Sequence, residues 1–230
     1  MQTLLGDIVW LPARWDACTR FEWYGEFGYE IFLSLFATNP ETIDDLFKYS
    51  EVISYLRNTI YAKAFELCGF NPVILMGCDI CSTPGPLVSP RMLREVYFPH
   101  AFRSLEPLRS AGIKTIWHCD GNVMPIMDEI ISLGVDGLQG FQKEAGVCFE
   151  NIVKLRTKDG RPLIYYGPLS VAAELPVLSA EGITERVQGA IELARGNGSL
   201  LLFTANTIGP DVPLENIKAM YEASRQLEVG

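Results

Sequence analysis

The segment Lys114-Thr115-Ile116-Trp117-His118-Cys119-Asp120-Gly121-Asn122 decides the fold, because a short apolar run leads directly into polar residues and then into a helical pattern. The apolar run is continuous and bounded by polar residues, which is typical of a buried parallel strand. Asn122 can cap a helix over residues 123–133, which Gly134 would end. The segment therefore predicts one strand–helix unit, with polar side chains at the carboxyl end of its strand.

The same unit recurs on both sides of this segment. Short apolar runs alternate with helical patterns along the whole chain. The predicted strands lie at residues 8–11, 73–76, 115–117, 137–141, 163–166 and 200–203. Helix starts are marked by Asn39-Pro40, Ser89-Pro90, Ser179 and Pro213. This alternation predicts a parallel sheet covered by helices.

An open doubly wound sheet and a closed barrel both satisfy this alternation. No G-x-G-x-x-G motif follows the first predicted strand, which disfavours a dinucleotide-binding sheet. The polar residues that could do chemistry fall just after strands, as in barrel enzymes, whose sites lie at the carboxyl ends of the strands. The same placement also suits the crevice of an open sheet, so the pattern leaves both folds open.

Composition limits the class of protein and its partners. Of the 230 residues, 48% are hydrophobic and 20% are charged, which is ordinary for a globular domain. The net charge of −9 disfavours binding to nucleic acid or to an anionic membrane. No apolar run approaches the roughly 18 residues of a membrane helix, and no signal peptide is visible. With six scattered cysteines, we expect a reduced, cytoplasmic setting.

Four sequence segments, one of them within the segment quoted above, carry a family resemblance. They are Gly77-Cys78-Asp79-Ile80 with Gly85-Pro86-Leu87-Val88-Ser89-Pro90, Trp117-His118-Cys119-Asp120-Gly121-Asn122, Gly134-Val135-Asp136-Gly137-Leu138, and Asp211-Val212-Pro213-Leu214-Glu215-Asn216-Ile217. In this order and spacing they resemble the uroporphyrinogen decarboxylase superfamily. That superfamily contains the haem-pathway decarboxylase and a set of zinc-dependent, corrinoid-linked methyltransferases.

The resemblance implies an α/β fold of the TIM type, a (β/α) barrel that residues 1–230 would form as a single domain. Such barrels have eight strands and about 250 residues, whereas six strands are predicted here, so we expect an incomplete barrel. The family's arginine-rich N-terminal motif has no counterpart, which corresponds to about two missing strand–helix units. Because an uncovered parallel edge favours association, we expect a homodimer.

His118 and Asp120 are the leading candidates for catalytic residues and metal ligands. Positions i and i+2 on a strand share a face, so both side chains can point to one centre. A neutral imidazole suits both metal binding and acid–base chemistry. Asp79, at the end of another predicted strand, is the third catalytic candidate, as a ligand, a base or an anchor for a pyrrole NH. A turn or helix cap is the alternative role for Asp79.

The resemblance also shows where this chain departs from the family. In the similar methyltransferases the position of Asp120 is a zinc-binding cysteine. Asn206 falls where those enzymes carry their last zinc cysteine and where the decarboxylase carries a histidine. Carboxylate is a harder ligand than thiolate, although zinc accepts oxygen ligands. Asn206 is therefore interpreted as a substrate-binding or hydrogen-bonding residue, with a plain loop role as the alternative.

Four more residues are candidates for the lining of a substrate pocket. Gln139, Gln142 and Tyr166 lie at later strand ends, and Arg14 follows the first predicted strand and could contact a substrate carboxylate. For each of them, hydrogen bonding at the surface or within a loop is the simpler interpretation.

Three functions remain open from the sequence. The first is metal-assisted methyl transfer linked to a corrinoid, with zinc as the cofactor and a corrinoid carried by a partner protein. The second is decarboxylation of a uroporphyrinogen-like tetrapyrrole, which needs no metal but needs cations to hold the acetate side chains. The third is a truncated barrel that binds a ligand or partner without turnover.

Overall fold

The computed structural model describes residues 11–225, which are organised around a five-stranded parallel sheet. Its strands, in spatial order, are β1 (Val73–Gly77), β4 (Lys114–His118), β5 (Gly137–Gln139), β6 (Ile164–Leu169) and β7 (Ser199–Thr204). A small antiparallel ribbon, β2 (Cys81–Ser82) with β3 (Gly85–Pro86), follows β1. Five of the six predicted strands are therefore confirmed. The sixth, at residues 8–11, lies outside the described residues except for Leu11.

The sheet continues beyond β1 towards the beginning of the chain. Ala13 forms a parallel bridge with Leu75, and the amide of Leu75 donates to the carbonyl of Pro12. The consecutive parallel strands with helical crossovers confirm the α/β fold and are consistent with an incomplete barrel of the TIM type.

Helices fill the connections between the strands. They are α1 (Tyr24–Phe27), α2 (Tyr29–Thr38), α3 (Pro40–Cys68), α4 (Pro90–Val96), α5 (Phe98–Ser104), α6 (Glu106–Ser110), α7 (Met127–Ser132), α8 (Phe149–Ile152), α9 (Ala180–Ala194) and α10 (Leu214–Arg225). Short 3-10 turns lie at Trp15–Ala17, Met124–Ile126 and Lys143–Ala145. Within residues 11–225, no helix combines the length and the apolar composition that crossing a bilayer requires.

Three of the predicted helix starts are capped by side-chain hydrogen bonds. The side-chain oxygens of Asn39, Ser89 and Ser179 each accept a hydrogen bond from the amide three residues later, at 3.2–3.3 Å. The start after Asn122 differs from the prediction. Asn122 accepts from the amide of Met124 at 3.2 Å, but a 3-10 turn containing Pro125 comes first, and regular helix begins only at α7.

The two faces of the sheet have different surroundings. Trp117 and Tyr165 are buried in the main core, which packs the sheet against the helices. Their neighbours along each strand, His118 on β4 and Tyr166 on β6, point to the other face because side chains alternate along a strand. The fold therefore places His118 on the face opposite the main core.

The pairing of β1 with β4 leaves no room for a side chain at the carboxyl end of β1. Gly77 lies opposite His118 and has a φ of +141°, and a Cβ atom there would lie 2.1 Å from the carbonyl oxygen of His118. Only glycine adopts such a backbone conformation without strain. Gly77 is thus required for the position of His118.

We expect Gly77→Ala to lower the free energy of unfolding by about 3 kcal/mol or more, from backbone strain plus a clash. Gly85→Ala is the matched control, since Gly85 has a φ of +149° but nothing within 4 Å of its added Cβ. The free energy of unfolding of Gly85→Ala should fall by only about 1–2 kcal/mol, from backbone strain alone. Urea denaturation measures both, and equal losses would refute the clash at His118.

Candidate active site

Three side chains converge at the carboxyl ends of β1 and β4. His118 ends β4, Asp120 follows two residues later, and Asp79 follows β1 by two residues. One ligand atom from each lies within 4.8 Å of the others. The imidazole Nε2 is 3.5 Å from Asp79 Oδ1 and 3.9 Å from Asp120 Oδ1. We call these three residues the acid–imidazole cluster.

Backbone contacts tie the two loops of the cluster together. The amide of Asp120 donates to Asp79 Oδ1 at 3.0 Å. The next amide, of Gly121, donates to the side-chain oxygen of Gln142 at 2.5 Å. Gly121 has a φ of +81°, and a Cβ there would come within 2.5 Å of the carbonyl of Ser82. The loop after β4 is therefore held between β2 and the loop after β5.

Gln139 fixes the orientation of the His118 ring. The Nε2 amide group of Gln139 donates to the carbonyl of Ala205 at 2.8 Å, and a carbonyl can only accept. The Oε1 atom of Gln139 must then be the one that faces His118 Nδ1, with which it is hydrogen-bonded. In its neutral form the imidazole consequently carries its proton on Nδ1 and presents the Nε2 lone pair to the two carboxylates.

The cluster thus brings three acceptors together. At 3.5 Å and 3.9 Å, the separations from Nε2 are too long for good hydrogen bonds. They are close to the spacing of about 3.4 Å between two ligand atoms that each lie about 2.1 Å from a tetrahedral metal ion. A cation among the three atoms would convert their mutual repulsion into attraction.

Asp120 shows the need for a cation most directly. Its Oδ2 accepts from Asn206 Nδ2 at 2.6 Å, whereas its Oδ1 is buried and accepts no hydrogen bond within residues 11–225. Burial raises the pKa of the Asp120 carboxyl above its ordinary value. The charge of a protonated His118 lowers this pKa, the charge of Asp79 raises it, and the hydrogen bond from Asn206 lowers it. A buried carboxylate oxygen without a donor is destabilising unless a cation binds it. The residues present therefore fit a metal ion.

A cavity of about 200 Å³ opens beside the cluster. Its walls are formed by Trp15, Glu22, Gly77, Cys78, Asp79 and His118. The half-exposed ring of Trp15 lies with its centroid 5.1 Å from that of His118. Trp15 and Glu22 also line a neighbouring cleft of about 460 Å³ that reaches to α3. A small substrate could thus reach the cluster from that side.

Sequence reasoning missed Glu22 and Trp15. Glu22 accepts a hydrogen bond from the amide of Asp79 at 3.0 Å, and burial raises the pKa of its carboxyl. The one signal in the sequence is a single carboxylate inside an aromatic run, between Phe21 and Trp23. That signal does not reveal its partner, because Asp79 lies more than fifty residues away.

Besides Gln139, which orients the His118 ring, the residues predicted to bind substrate have different surroundings. Asn206 joins the cluster through Asp120, and Gln142 holds the loop at Gly121. The ring of Tyr166 stacks on Phe203, with centroids 4.9 Å apart. The guanidinium of Arg14 is bound by Tyr61 and by Asp16, the latter at 3.0 Å. The structure thus brings Asn206 into hydrogen bonding with the cluster, but not Tyr166 or Arg14. The substrate-binding roles of all four residues stay predictions.

The cysteines that are close to the cluster in sequence contribute no ligand atom to it. Cys119 is buried, and its Sγ donates to the carbonyl of Asp120 at 3.2 Å. Cys78 is buried against the hydroxyl of Tyr97 at 2.9 Å, and burial raises the pKa of its thiol. Cys81 is also buried in the main core. The cluster is therefore built from nitrogen and oxygen ligands.

Comparisons with known proteins agree with this fold. The sequence model of the family described as uroporphyrinogen decarboxylase (URO-D) matches residues 22–227. Methylcobamide:CoM methyltransferase MtaA of Methanosarcina barkeri (strain Fusaro / DSM 804) is 26% identical over 155 residues, which are 66% of this chain and 43% of that protein. A solved methyltransferase from Methanosarcina mazei superposes with a TM-score of 0.58 at 22% identity, covering 87% of this chain and 53% of that one. The chain spans about half the length of these relatives.

We expect Asp120→Asn to raise the free energy of unfolding of the metal-free protein at pH 7, by up to about 1 kcal/mol after solvent screening. The amide removes a buried charge and supplies a donor towards His118 and Asp79. Because the folded-state pKa of Asp120 is raised, this gain should disappear as the pH falls through that pKa and the native carboxyl becomes protonated.

Thermal unfolding in the presence of a chelator, between pH 4 and pH 8 in about half-unit steps, tests this expectation. Asp45→Asn, at an exposed position of α3, is the matched control and should change the stability by less than about 0.5 kcal/mol. Destabilisation by Asp120→Asn at pH 7 would show that the carboxylate is satisfied without a cation.

Proposed function

The chain belongs to the uroporphyrinogen decarboxylase family, and we propose that it carries out metal-assisted methyl transfer linked to a corrinoid. The observation that carries this proposal is the acid–imidazole cluster, in which the Nε2 lone pair of His118 faces the carboxylates of Asp79 and Asp120 without a donor between them. The similarity to a methylcobamide:CoM methyltransferase supports the choice of reaction.

The ligand atoms define which metal the cluster would hold. One imidazole nitrogen and two carboxylate oxygens suit zinc, which accepts both ligand types. The same ligands bind harder divalent ions better than a site rich in thiolates would. A bound ion would supply a Lewis acid that lowers the pKa of the nucleophile accepting the methyl group.

The remaining tasks fall to side chains of this chain. Gln139 keeps the His118 ring turned so that Nε2 faces the carboxylates, and Asn206 holds Asp120 through Oδ2 and leaves Oδ1 free. The ring of Trp15 stands beside His118 at the mouth of the cavity, where it can pack against a substrate and exclude water. This arrangement orients the ligands before a substrate arrives.

The charges around the cavity favour methyl transfer over decarboxylation of a tetrapyrrole. Decarboxylation requires cations that grip several acetate groups. The charged residues in the cavity wall are instead the carboxylates of Glu22 and Asp79 beside His118. Arg14, the cation that the sequence suggested for a substrate carboxylate, is bound by Asp16 and Tyr61. The two arginines that line the neighbouring cleft are also paired, Arg20 with Glu26 and Arg57 with Asp16. A polyanionic substrate would meet repulsion at this site.

Elemental analysis of the purified protein tests the proposal first. We expect about one divalent ion per chain, lost in His118→Ala, because a catalytic site of this kind keeps three protein ligands. Loss of the ion should also abolish the demethylation of methylcobalamin in the presence of a thiol, followed by corrinoid absorbance. His100→Gln changes the only other histidine and is the matched control. Protein without metal, or metal retained in His118→Ala, would contradict the proposal.

The orienting role of Gln139 gives a second prediction. Gln139→Leu should weaken metal binding by about 10–100-fold, because the imidazole loses the acceptor that fixes its tautomer and ring orientation. Gln142→Leu removes an amide side chain that holds Gly121 rather than the ring, and should change metal affinity less. Competition with a chromophoric chelator measures both. Equal effects of the two substitutions would remove Gln139 from the site.

A further inference from the structure

We propose that Glu22 determines substrate specificity, and that it selects a substrate carrying an organic cation, such as an ammonium group, close to the atom that accepts the methyl group. Glu22 and His118 line the same cavity of about 200 Å³. The amide of Asp79 donates to Glu22 Oε1 at 3.0 Å, which fixes the carboxylate beside the acid–imidazole cluster. The identity of the reaction rests on the proposed function, whereas the binding of a cation at Glu22 does not.

Glu22 is a carboxylate without a cationic partner. Within residues 11–225 it forms no ion pair, and its Oε2 atom accepts no hydrogen bond from another residue. The guanidinium of Arg20, two residues earlier, is bound by both carboxylate oxygens of Glu26 and lies over the ring of Trp23. No lysine or arginine is among the residues that form the cavity wall. A carboxylate with one free oxygen binds an ammonium group through a charge-assisted hydrogen bond.

The charges of the cluster leave the charge of Glu22 uncompensated. Under the proposed function, a divalent ion would balance the two carboxylates of Asp79 and Asp120. The carboxylate of Glu22 is then the remaining formal charge in the cavity wall. The net charge of the chain, −9, adds to the attraction for a cation. An anionic group on the substrate would meet repulsion at the same place.

The ring of Trp15 supplies the second half of a cation site. Trp15 is 52% exposed and lines both the cavity and the neighbouring cleft, as Glu22 does. Arginines already stack on Trp23 and Tyr61, whereas in the described part of the chain no arginine or lysine stacks on Trp15. Tryptophan is the aromatic side chain that attracts cations most strongly. A free carboxylate oxygen beside an open tryptophan face therefore suits an organic ammonium.

The size of the cavity limits the substrate to a short molecule. Its volume of about 200 Å³ lies below the roughly 300–1,000 Å³ of pockets that bind drug-sized ligands. With a thiol as the methyl acceptor, the substrate class is thus a short aminothiol. In the transfer, the sulfur–carbon bond forms while the cobalt–carbon bond breaks. The electron pair of the broken bond stays on cobalt, and the thiol proton leaves to solvent.

Binding of propylammonium to the purified full chain tests the cation site without turnover. In protein with isotope-labelled tryptophan, the indole N–H groups of the four tryptophans give NMR signals, and Trp15→Phe identifies the signal of Trp15. We expect propylammonium chloride to shift this signal saturably, and sodium propionate at equal ionic strength to leave it in place. Glu22→Gln keeps an acceptor for the amide of Asp79 but removes the charge, and should raise the dissociation constant about 10-fold or more.

Glu30→Gln, the same chemical change at an exposed position of α2, is the matched control and should bind propylammonium as the unmodified chain does. A missing shift, an equal response to propionate, or undiminished affinity in Glu22→Gln would overturn the proposal. Because propylammonium has no thiol, this result stands whether or not elemental analysis supports the proposed function.

The demethylation assay then compares thiols that share an ethylene spacer and differ in charge. They are cysteamine, 2-mercaptoethanol and 2-mercaptoethanesulfonate. We expect kcat/KM to fall in this order, with cysteamine about 10–100-fold above the sulfonate, and Glu22→Gln to reduce that ratio about 10-fold or more. A preference for the sulfonate, or a ratio unchanged in Glu22→Gln, would overturn the proposal. Inactivity with all three thiols would contradict the proposed function, and the propylammonium titration would still decide the cation site.

Discussion

The register of β1 against β4 is the constraint on which the site depends. It sets Gly77 directly opposite His118, with the two backbones so close that a single added methyl group would meet the carbonyl of His118. Because the strands are parallel and in this register, the loops that follow them emerge side by side. The carboxylate of Asp79 can then accept from the amide of Asp120. The cluster is thus a direct consequence of strand pairing.

The site combines groups that repel one another and holds them with side-chain amides from the later strands. Gln139 on β5 orients the imidazole, and Asn206 after β7 holds one oxygen of Asp120. Gln139 comes from the strand that pairs directly with β4, and Asn206 follows the last strand of the sheet. The sheet must therefore be complete before the cluster has its geometry. Under the proposed function, the electrostatic strain of the metal-free cluster is what binding of an ion relieves.

Local patterns predicted most of the fold and part of the site. Strand runs and caps such as Asn39 and Ser179 depend on neighbouring residues, so a single sequence reveals them. Alternation along a strand likewise predicted that His118 and Asp120 could share a centre. The bond between Gln139 and the imidazole and the position of Glu22 depend on contacts between distant segments. No periodicity records such contacts, and sequence reasoning left them out for that reason.

The departures from the similar methyltransferases form a consistent set. The family resemblance implies that Asp120 and Asn206 stand where those enzymes have cysteines, and in the structure Asn206 Nδ2 donates to Asp120 Oδ2 at 2.6 Å. A carboxylate at one position therefore comes with an amide donor at the other, which binds the oxygen that faces away from His118. The replacement leaves one carboxylate oxygen for the centre of the cluster. Under the proposed function, the pair would act as one oxygen ligand with its own support, in place of two thiolates.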